Sequence, residues 1–298
     1  MDDCYLDSLM KRVFVHIGLH KTGTTSLQRF LYQNREKLGA HGVLYRCLDE
    51  EWPNHHPVAV GWRKGQRSDK VARFLGECLS SPPHHTIIFS SEMFAEQAFD
   101  VSGFLEVLAP HDVTVVAYLR NPCAQLVSAF NEVVRDPKVQ WTHPIGSDPS
   151  PYDVSYHALL RDWLQAPRLI LCPYDPPQWI GGTLEADFLA TAGIENTDLE
   201  SLPFRENVSL PFSVVEIVRH ANRAGLVEPD RSDLISFLKT ASFDPDLPAR
   251  YPLSEDECQT LIERLRARYS IYEPFLRKNF DANFLFEMPN ALLADGSD

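Results

Sequence analysis

Residues Val13 to Leu31, VFVHIGLHKTGTTSLQRFL, read as strand, glycine-bracketed loop and helix, and every other segment is placed by its relation to them. Val13, Phe14, Val15 and Ile17 form a short apolar run suited to a buried strand, whereas Leu27, Phe30, Leu31 and Leu38 recur at helical spacing. Between them lies Gly18-Leu19-His20-Lys21-Thr22-Gly23-Thr24-Thr25. The two glycines let the backbone turn and approach a ligand. The helix start that follows offers unpaired backbone N–H groups and a positive dipole end to an anion. The glycine spacing is that of a nucleotide-triphosphate loop, but Gly23-Thr24-Thr25 stands where that motif needs Gly-Lys-Ser/Thr, and the only loop lysine is Lys21. A lysine in mid-loop neutralises charge on a phosphate or a leaving oxygen, and Thr24 and Thr25 can donate hydroxyl hydrogen bonds to phosphate. Nothing in the loop demands Mg²⁺. The plain alternative is a glycine-rich turn with a solvated lysine.

Two more strands end in chemically useful residues. Thr86-Ile87-Ile88-Phe89 is a compact apolar run that leads into Ser90-Ser91-Glu92, and in open parallel sheets ligands collect beyond the carboxyl ends of strands. Glu92 is therefore placed for a catalytic carboxylate; its bland role is an early helix residue favoured by the dipole. Val113 to Leu119 is the clearest strand and runs into Arg120-Asn121-Pro122, with the proline suited to a first helical turn. Leu126, Val127, Phe130, Val133 and Val134 give the following helix its buried stripe. Ser128 sits roughly 200° around the helix from both Leu126 and Phe130, off that stripe, where it can join Arg120 in an anion clamp.

Residues 51–66 are the least regular region, with Trp52, Pro53, His55, His56, Pro57, Trp62, Arg63 and Lys64 in a mixture suited to a loop or short helix that touches a substrate. His55 and His56 are candidates for a base, for metal ligands or for substrate contacts; packed surface histidines are the alternative. Val71, Phe74, Leu75, Cys78 and Leu79 mark an amphipathic helix, which Ser81-Pro82-Pro83 ends.

The chain has 298 residues, 44% of them hydrophobic, enough for a sizeable core. A formal net charge of -13 argues against non-specific nucleic-acid binding and leaves a small anionic ligand in a local basic pocket as the better fit. Cys4, Cys47, Cys78, Cys123, Cys172 and Cys258 are scattered, without zinc-type pairing, and no signal peptide or membrane-length apolar run is evident. Reduced thiols in a cytoplasmic protein are expected, and no metal.

With these residues in view, HIGLHKTGTTSLQ resembles the 5′-phosphosulfate loop of sulfotransferases that use 3′-phosphoadenosine 5′-phosphosulfate (PAPS), and YLRNPCAQLVSAFN resembles their 3′-phosphate motif. The similarity is nearest to bacterial members of the Golgi-like, carbohydrate-directed branch. It implies that His20, Lys21, Thr22, Gly23, Thr24, Thr25 and Ser26 surround the 5′ end of the cofactor, and that Arg120 and Ser128 bind its 3′-phosphate. Residues 152–163, the run Leu169-Ile170-Leu171-Cys172, and residues 182–194 with Asp187-Phe188-Leu189 are similar to the family's later elements, and Arg205 to Ser209 looks like a late cofactor-side motif. Many cytosolic small-molecule members have a proline before the loop lysine, a histidine base and a late Arg-Lys-Gly segment. This chain has His20, Glu92 and no such segment, so the resemblance favours the branch with a glutamate base.

The expected fold is α/β, a three-layer and predominantly parallel sheet in a single sulfotransferase-like domain, with a core over about residues 12–205 and helices over about 206–288. Val214, Val215, Val218 and Ala221 suggest one late helix, Leu261, Ile262, Leu265 and Tyr269 another with Ser254 at its cap, and residues 244–252 a proline-rich break. The implied reaction is sulfuryl transfer from PAPS, leaving the desulfated product PAP, to a hydroxyl of a saccharide or other small acceptor. Lys21 and Glu92 are the expected catalytic residues, and His55 and His56 the substrate-binding ones. A phosphate-loop kinase and a non-catalytic nucleotide-binding protein are the competing classes.

Overall fold

The computed structural model describes residues 10–146, 155–195, 198–201, 210–241 and 252–289. The proposed late motif Arg205 to Ser209, most of the proline-rich break, residues 152–154 and the tail from 290 fall outside them.

The chain divides into two compact units. The first comprises Met1–Arg120, Ser155–Phe204 and Ser270–Ala282 and carries the sheet. Its strands are β1 (Arg12–Ile17), β2 (Val43–Leu44), a hairpin of β3 (Trp62–Arg63) and β4 (Gln66–Arg67), β5 (Thr86–Ser91), β6 (Asp112–Leu119) and β7 (Leu169–Pro173). Five of them form one sheet in the order β2-β5-β1-β6-β7, parallel throughout. This is the α/β architecture the alternation of strands and helices predicts. The β3–β4 hairpin is not foreseen in the irregular region; its signal is Gly65, which turns between the strands at a φ of 77°.

Alternation along each strand divides the core into two layers. Phe14, Ile88, Val116, Tyr118 and Cys172 share one face with Leu27, Phe30 and Leu31 of helix α1 (Thr24–Gln33) and with Leu38 of α2 (Arg35–Ala40). On the opposite face Phe89 packs edge-to-face against Phe104, and an aromatic cluster continues through Phe94 and Phe99 to Trp163. The helices on that side are α3 (His56–Val60), α4 (Asp69–Leu79) and α5 (Val101–Leu108), with Val71, Phe74, Leu75 and Cys78 the buried stripe of α4.

The second unit comprises Asn121–Val154, Arg205–Tyr269 and Asn283–Asp298. Its helix α6 (Pro122–Arg135) starts as its sequence requires. The Asn121 side chain accepts from the N–H groups of Cys123 and Ala124, and Pro122 fills the first turn, where a missing N–H costs nothing. In the first unit again, α7 (Tyr156–Leu160) precedes β7 and α8 (Leu184–Thr191) follows it. The second unit continues with α9 (Phe212–Arg223), α10 (Asp230–Thr240) and α11 (Glu255–Arg266). Phe130 and Val134 of α6 join Val214, Val215 and Val218 of α9 and Ile235 and Leu238 of α10 in one apolar cluster. Helix α11 begins with a reciprocal capping box between Ser254 and Glu257 and buries Cys258, Ile262 and Leu265.

Candidate functional site

The strand order places β1 between β5 and β6, so the carboxyl ends of those three strands are neighbours. From β1 the chain runs to one side of the sheet, returns through β5, and crosses to β6 and β7. Such a reversal of strand order opens a crevice at the carboxyl edge. Glu92, the glycine loop and Arg120 are the residues that immediately follow β5, β1 and β6.

The loop is shaped by close approach. The Gly18 N–H donates to the Ser91 carbonyl at 3.1 Å, extending the β1–β5 pairing by one step. A β-carbon on Gly18 would lie 2.4 Å from Cγ2 of Thr24 and 2.9 Å from Cγ of Glu92, so only glycine lets both side chains close over the strand end. Lys21 and Gly23 are both in the left-handed region, at φ of 66° and 73°. Gly23 is further pressed by Leu184, whose Cδ2 would stand 2.5 Å from a β-carbon there. Holding a non-glycine residue such as Lys21 at positive φ carries strain of order 1 kcal/mol, a feature that concentrates at functional turns.

The loop hydroxyls divide into different tasks. Thr22 is fully buried and its hydroxyl donates back to the Leu19 carbonyl at 2.7 Å, which closes the loop on itself. Ser26 donates to Glu185 Oε1 at 2.7 Å. Both of these side chains are bonded within the protein. Thr24 Oγ1 is buried with no protein partner, Thr25 is exposed on the first turn of α1, and no side chain caps that helix. Its first N–H groups are the kind of donor an anion satisfies.

Arg120 ties the end of β6 to this loop. Its Nη1 donates to the Lys21 carbonyl at 2.6 Å, and its guanidinium stands 5.2 Å from the Tyr174 ring centroid, a cation–π distance. Its backbone is clamped by Tyr156, which accepts from the Arg120 N–H at 2.8 Å and donates to the Arg120 carbonyl. Burial pushes the Tyr156 hydroxyl well above the ordinary phenol range, so it stays protonated and remains a donor. Sequence reading missed Tyr156 and Tyr174. The available signal for Tyr174 is its position directly after the apolar run 169–173, at another strand end. Ser128 stands on α6 in the second unit, half-buried.

The paired histidines separate. His55 is wholly buried, its N–H donates to the Ser90 carbonyl at 2.9 Å, its Nδ1 accepts from the Ser90 N–H at 3.0 Å, and its Nε2 is paired with the Arg46 carbonyl at 2.9 Å. Burial lowers its pKa to about 4. Both ring nitrogens of His55 are bonded to backbone, and the residue pins its segment to β5. His56 is half-buried at the carboxyl end of that strand, with Nδ1 2.8 Å from Ser91 Oγ. Its pKa is lowered by burial and then by the charge of His20, which places the two rings in electrostatic reach. Trp62, considered with the aromatic residues of this region, is 3% exposed and packs against Phe104, whereas Trp52 is 54% exposed.

Behind the site lies a buried polar network. Asp187 is fully buried and accepts from the Tyr118 hydroxyl at 2.9 Å, the Ile180 N–H at 2.7 Å and Arg277 Nη1 at 2.6 Å. His16 is buried beside Ser90 at 2.8 Å, and burial lowers its pKa to about 3. Among the described residues no cluster of three or more His, Cys, Asp or Glu side chains is arranged to hold a metal ion, and no helix is long and apolar enough to cross a membrane. Cys47, Cys78, Cys123, Cys172 and Cys258 are free thiols.

Comparison of the chain with protein-family models, with curated proteins and with solved structures finds no match in any of the three.

Proposed function

We propose that the protein transfers a sulfuryl group from PAPS to an acceptor hydroxyl on a carbohydrate or glycoconjugate and releases PAP, in the cytoplasm, where its free thiols are stable. The supporting observation is the meeting of three chemically distinct groups on neighbouring strand ends: Glu92 packed over Gly18, Lys21 in the loop, and Arg120 bonded to the Lys21 carbonyl.

The residues fit an anionic nucleotide. Gly18 and Gly23 are positions where a β-carbon would collide with the surrounding wall, and the buried Thr24 hydroxyl has no protein partner. His20, Lys21 and the backbone from Thr22 to Ser26 would hold the 5′ end, and Arg120 the 3′-phosphate; the assignment of Ser128 to that phosphate rests on the sequence alone. When bound, PAPS supplies the sulfuryl group. The chain's own contribution is alignment and charge. Lys21 offsets the negative charge that grows on the departing oxygen, and Glu92 takes the proton of the attacking hydroxyl. Arg120 fixes the carbonyl of Lys21 and so the loop that presents the ammonium group.

The test is sulfate transfer from labelled PAPS to a panel of saccharide and phenolic acceptors, with and without EDTA. Transfer to a saccharide that survives the chelator is expected. Metal-dependent transfer from a nucleoside triphosphate instead would make the protein a kinase, and tight PAP binding without any turnover would make it a nucleotide-binding protein.

A further inference from the structure

The Ser91–His56 contact fixes more than a position. Ser91 is fully buried, and its Oγ already accepts from the Met93 N–H at 3.1 Å. The other partner of that oxygen among the described residues is His56 Nδ1, at 2.8 Å. A buried hydroxyl has one proton to place, and leaving it without an acceptor is unfavourable. The Ser91 proton therefore goes to His56 Nδ1, which must be the unprotonated nitrogen of the ring, and the ring proton sits on Nε2. The His56 Nε2 atom has no protein partner among the described residues, and it is not among the enclosed atoms. Its neighbour His55 explains why this arrangement holds: the reciprocal bonds of His55 with the Ser90 backbone lock residues 55 and 56 alongside the last two residues of β5.

We infer that His56 is a specificity-determining hydrogen-bond donor, its Nε2–H aimed at a second oxygen of the acceptor while Glu92, the residue after Ser91, accepts the proton of the first. Ser91 holds the His56 ring and is followed in the chain by Glu92, and one donor with one carboxylate suits an acceptor with two adjacent oxygens, such as a sugar diol, and disfavours an amino group at the second position, which brings no free lone pair once protonated. His56 is then not the base. Burial and the nearby His20 keep its pKa below the ordinary histidine value, so the ring is neutral at pH 7 and keeps this tautomer. This assignment rests on the sulfotransferase reading, and the experiment separates the two.

The tautomer is read first, in the protein without any ligand, from the ring-nitrogen chemical shifts of His56 in a ¹⁵N-labelled sample at pH 7.5. A protonated Nε2 and a bare Nδ1 are expected, with the preference weakened in Ser91→Ala; a protonated Nδ1 overturns the inference. Sulfate transfer is read second. His56→Ala should lose roughly 10- to 100-fold in kcat/KM for a diol acceptor with PAP affinity retained, and His56→Gln, whose amide can donate from near the Nε2 position but cannot act as a base, should recover most of that loss. An acceptor with an amine in place of the second hydroxyl should show little difference among the three proteins. Transfer by the wild type with His56→Gln as slow as His56→Ala overturns the donor role alone. No transfer by the wild type overturns the sulfotransferase reading and the acceptor role with it.

Discussion

Glu92 and Gly18 occupy the same small volume: the Cγ of the glutamate lies 2.9 Å from where a Gly18 β-carbon would stand. The carboxylate is therefore positioned by the absence of a side chain on the neighbouring strand end. Two variants separate position from chemistry. Glu92→Gln preserves volume and removes the proposed base, and loss of a general base commonly costs about 100- to 10,000-fold in rate. Gly18→Ala keeps the base and displaces it, and overpacking of this kind costs about 1–3 kcal/mol of stability as well. Slow single-turnover transfer is expected in both, with the larger loss of stability in Gly18→Ala. Near-wild-type transfer by Glu92→Gln would move the base elsewhere.

Arg120 reaches the loop through the Lys21 carbonyl, so its removal loosens the loop proposed to hold the 5′ end of PAPS as well as the proposed 3′-phosphate contact. Arg120→Ala should weaken binding of both PAP and adenosine 5′-phosphate. Ser128→Ala, if the serine meets the 3′-phosphate, should weaken PAP alone. A lost hydrogen bond to a charged group is worth about 1.5–3 kcal/mol, or roughly tenfold or more in affinity. Calorimetry with the two nucleotides decides; equal wild-type affinity for both would remove the 3′-phosphate from the proposal.

Lys21→Ala tests the chemical step. Alanine inherits the same positive φ of 66°, so the backbone penalty is shared with the parent and the difference reports on the ammonium group. Turnover should fall more than PAP affinity, because charge on the departing oxygen is greatest in the transition state. A raised PAP dissociation constant with unchanged single-turnover transfer would reduce Lys21 to a binding residue.

The strand ends were legible because buried parallel strands are short apolar runs and the residue that follows each is conspicuous: Gly18, Glu92 and Arg120 were all read correctly as strand-end positions. The division of labour among neighbouring side chains was not legible. His55 and His56 are adjacent and chemically identical in sequence, and which is buried is decided by Ser90 and Ser91, each 35 residues from its histidine. The same holds for Thr22 and Ser26, whose hydroxyls are claimed by Leu19 within the loop and by Glu185 on a distant helix. The β3–β4 hairpin escaped because each strand has only two residues, too few for alternation to register.

Asp187 and Arg277 form an ion pair at 2.6 Å with the carboxylate fully buried, and the Tyr118 hydroxyl and Ile180 N–H complete its shell. The energetic weight of such a pair lies in what is stranded when one partner goes. Arg277→Met should destabilise the protein by about 3–5 kcal/mol, whereas the double variant Asp187→Leu/Arg277→Met should cost less than the sum of its parts. Tyr118→Phe should cost about 1 kcal/mol. Urea titrations of the wild type, Asp187→Leu, Arg277→Met, the double variant and Tyr118→Phe measure these costs, and strict additivity in the double variant would show that the two side chains act independently.

His16 and His55 give the fold an acid sensitivity of known sign. Both are fully buried, and burial lowers their pKa values to about 3 and about 4, against 6.5 for an exposed histidine. The folded pKa is the depressed one, so the unfolded chain takes up protons first as pH falls. The stabilisation from keeping these rings neutral is complete above pH 6.5 and is lost progressively as pH drops towards 4 and then 3. At pH 5 each histidine has surrendered about 2 kcal/mol, before most carboxylates begin to titrate. Urea unfolding at pH 7.5, 6.5, 5.8 and 5.0 should show stability falling slowly over the first interval and then steeply, with these two rings supplying about two of the protons taken up per unfolding event. His16→Gln and His55→Gln will each lower stability at pH 7.5, since each removes a packed ring, but each should also flatten the slope by about one proton. An unchanged slope in both variants would show that these rings do not carry the acid response.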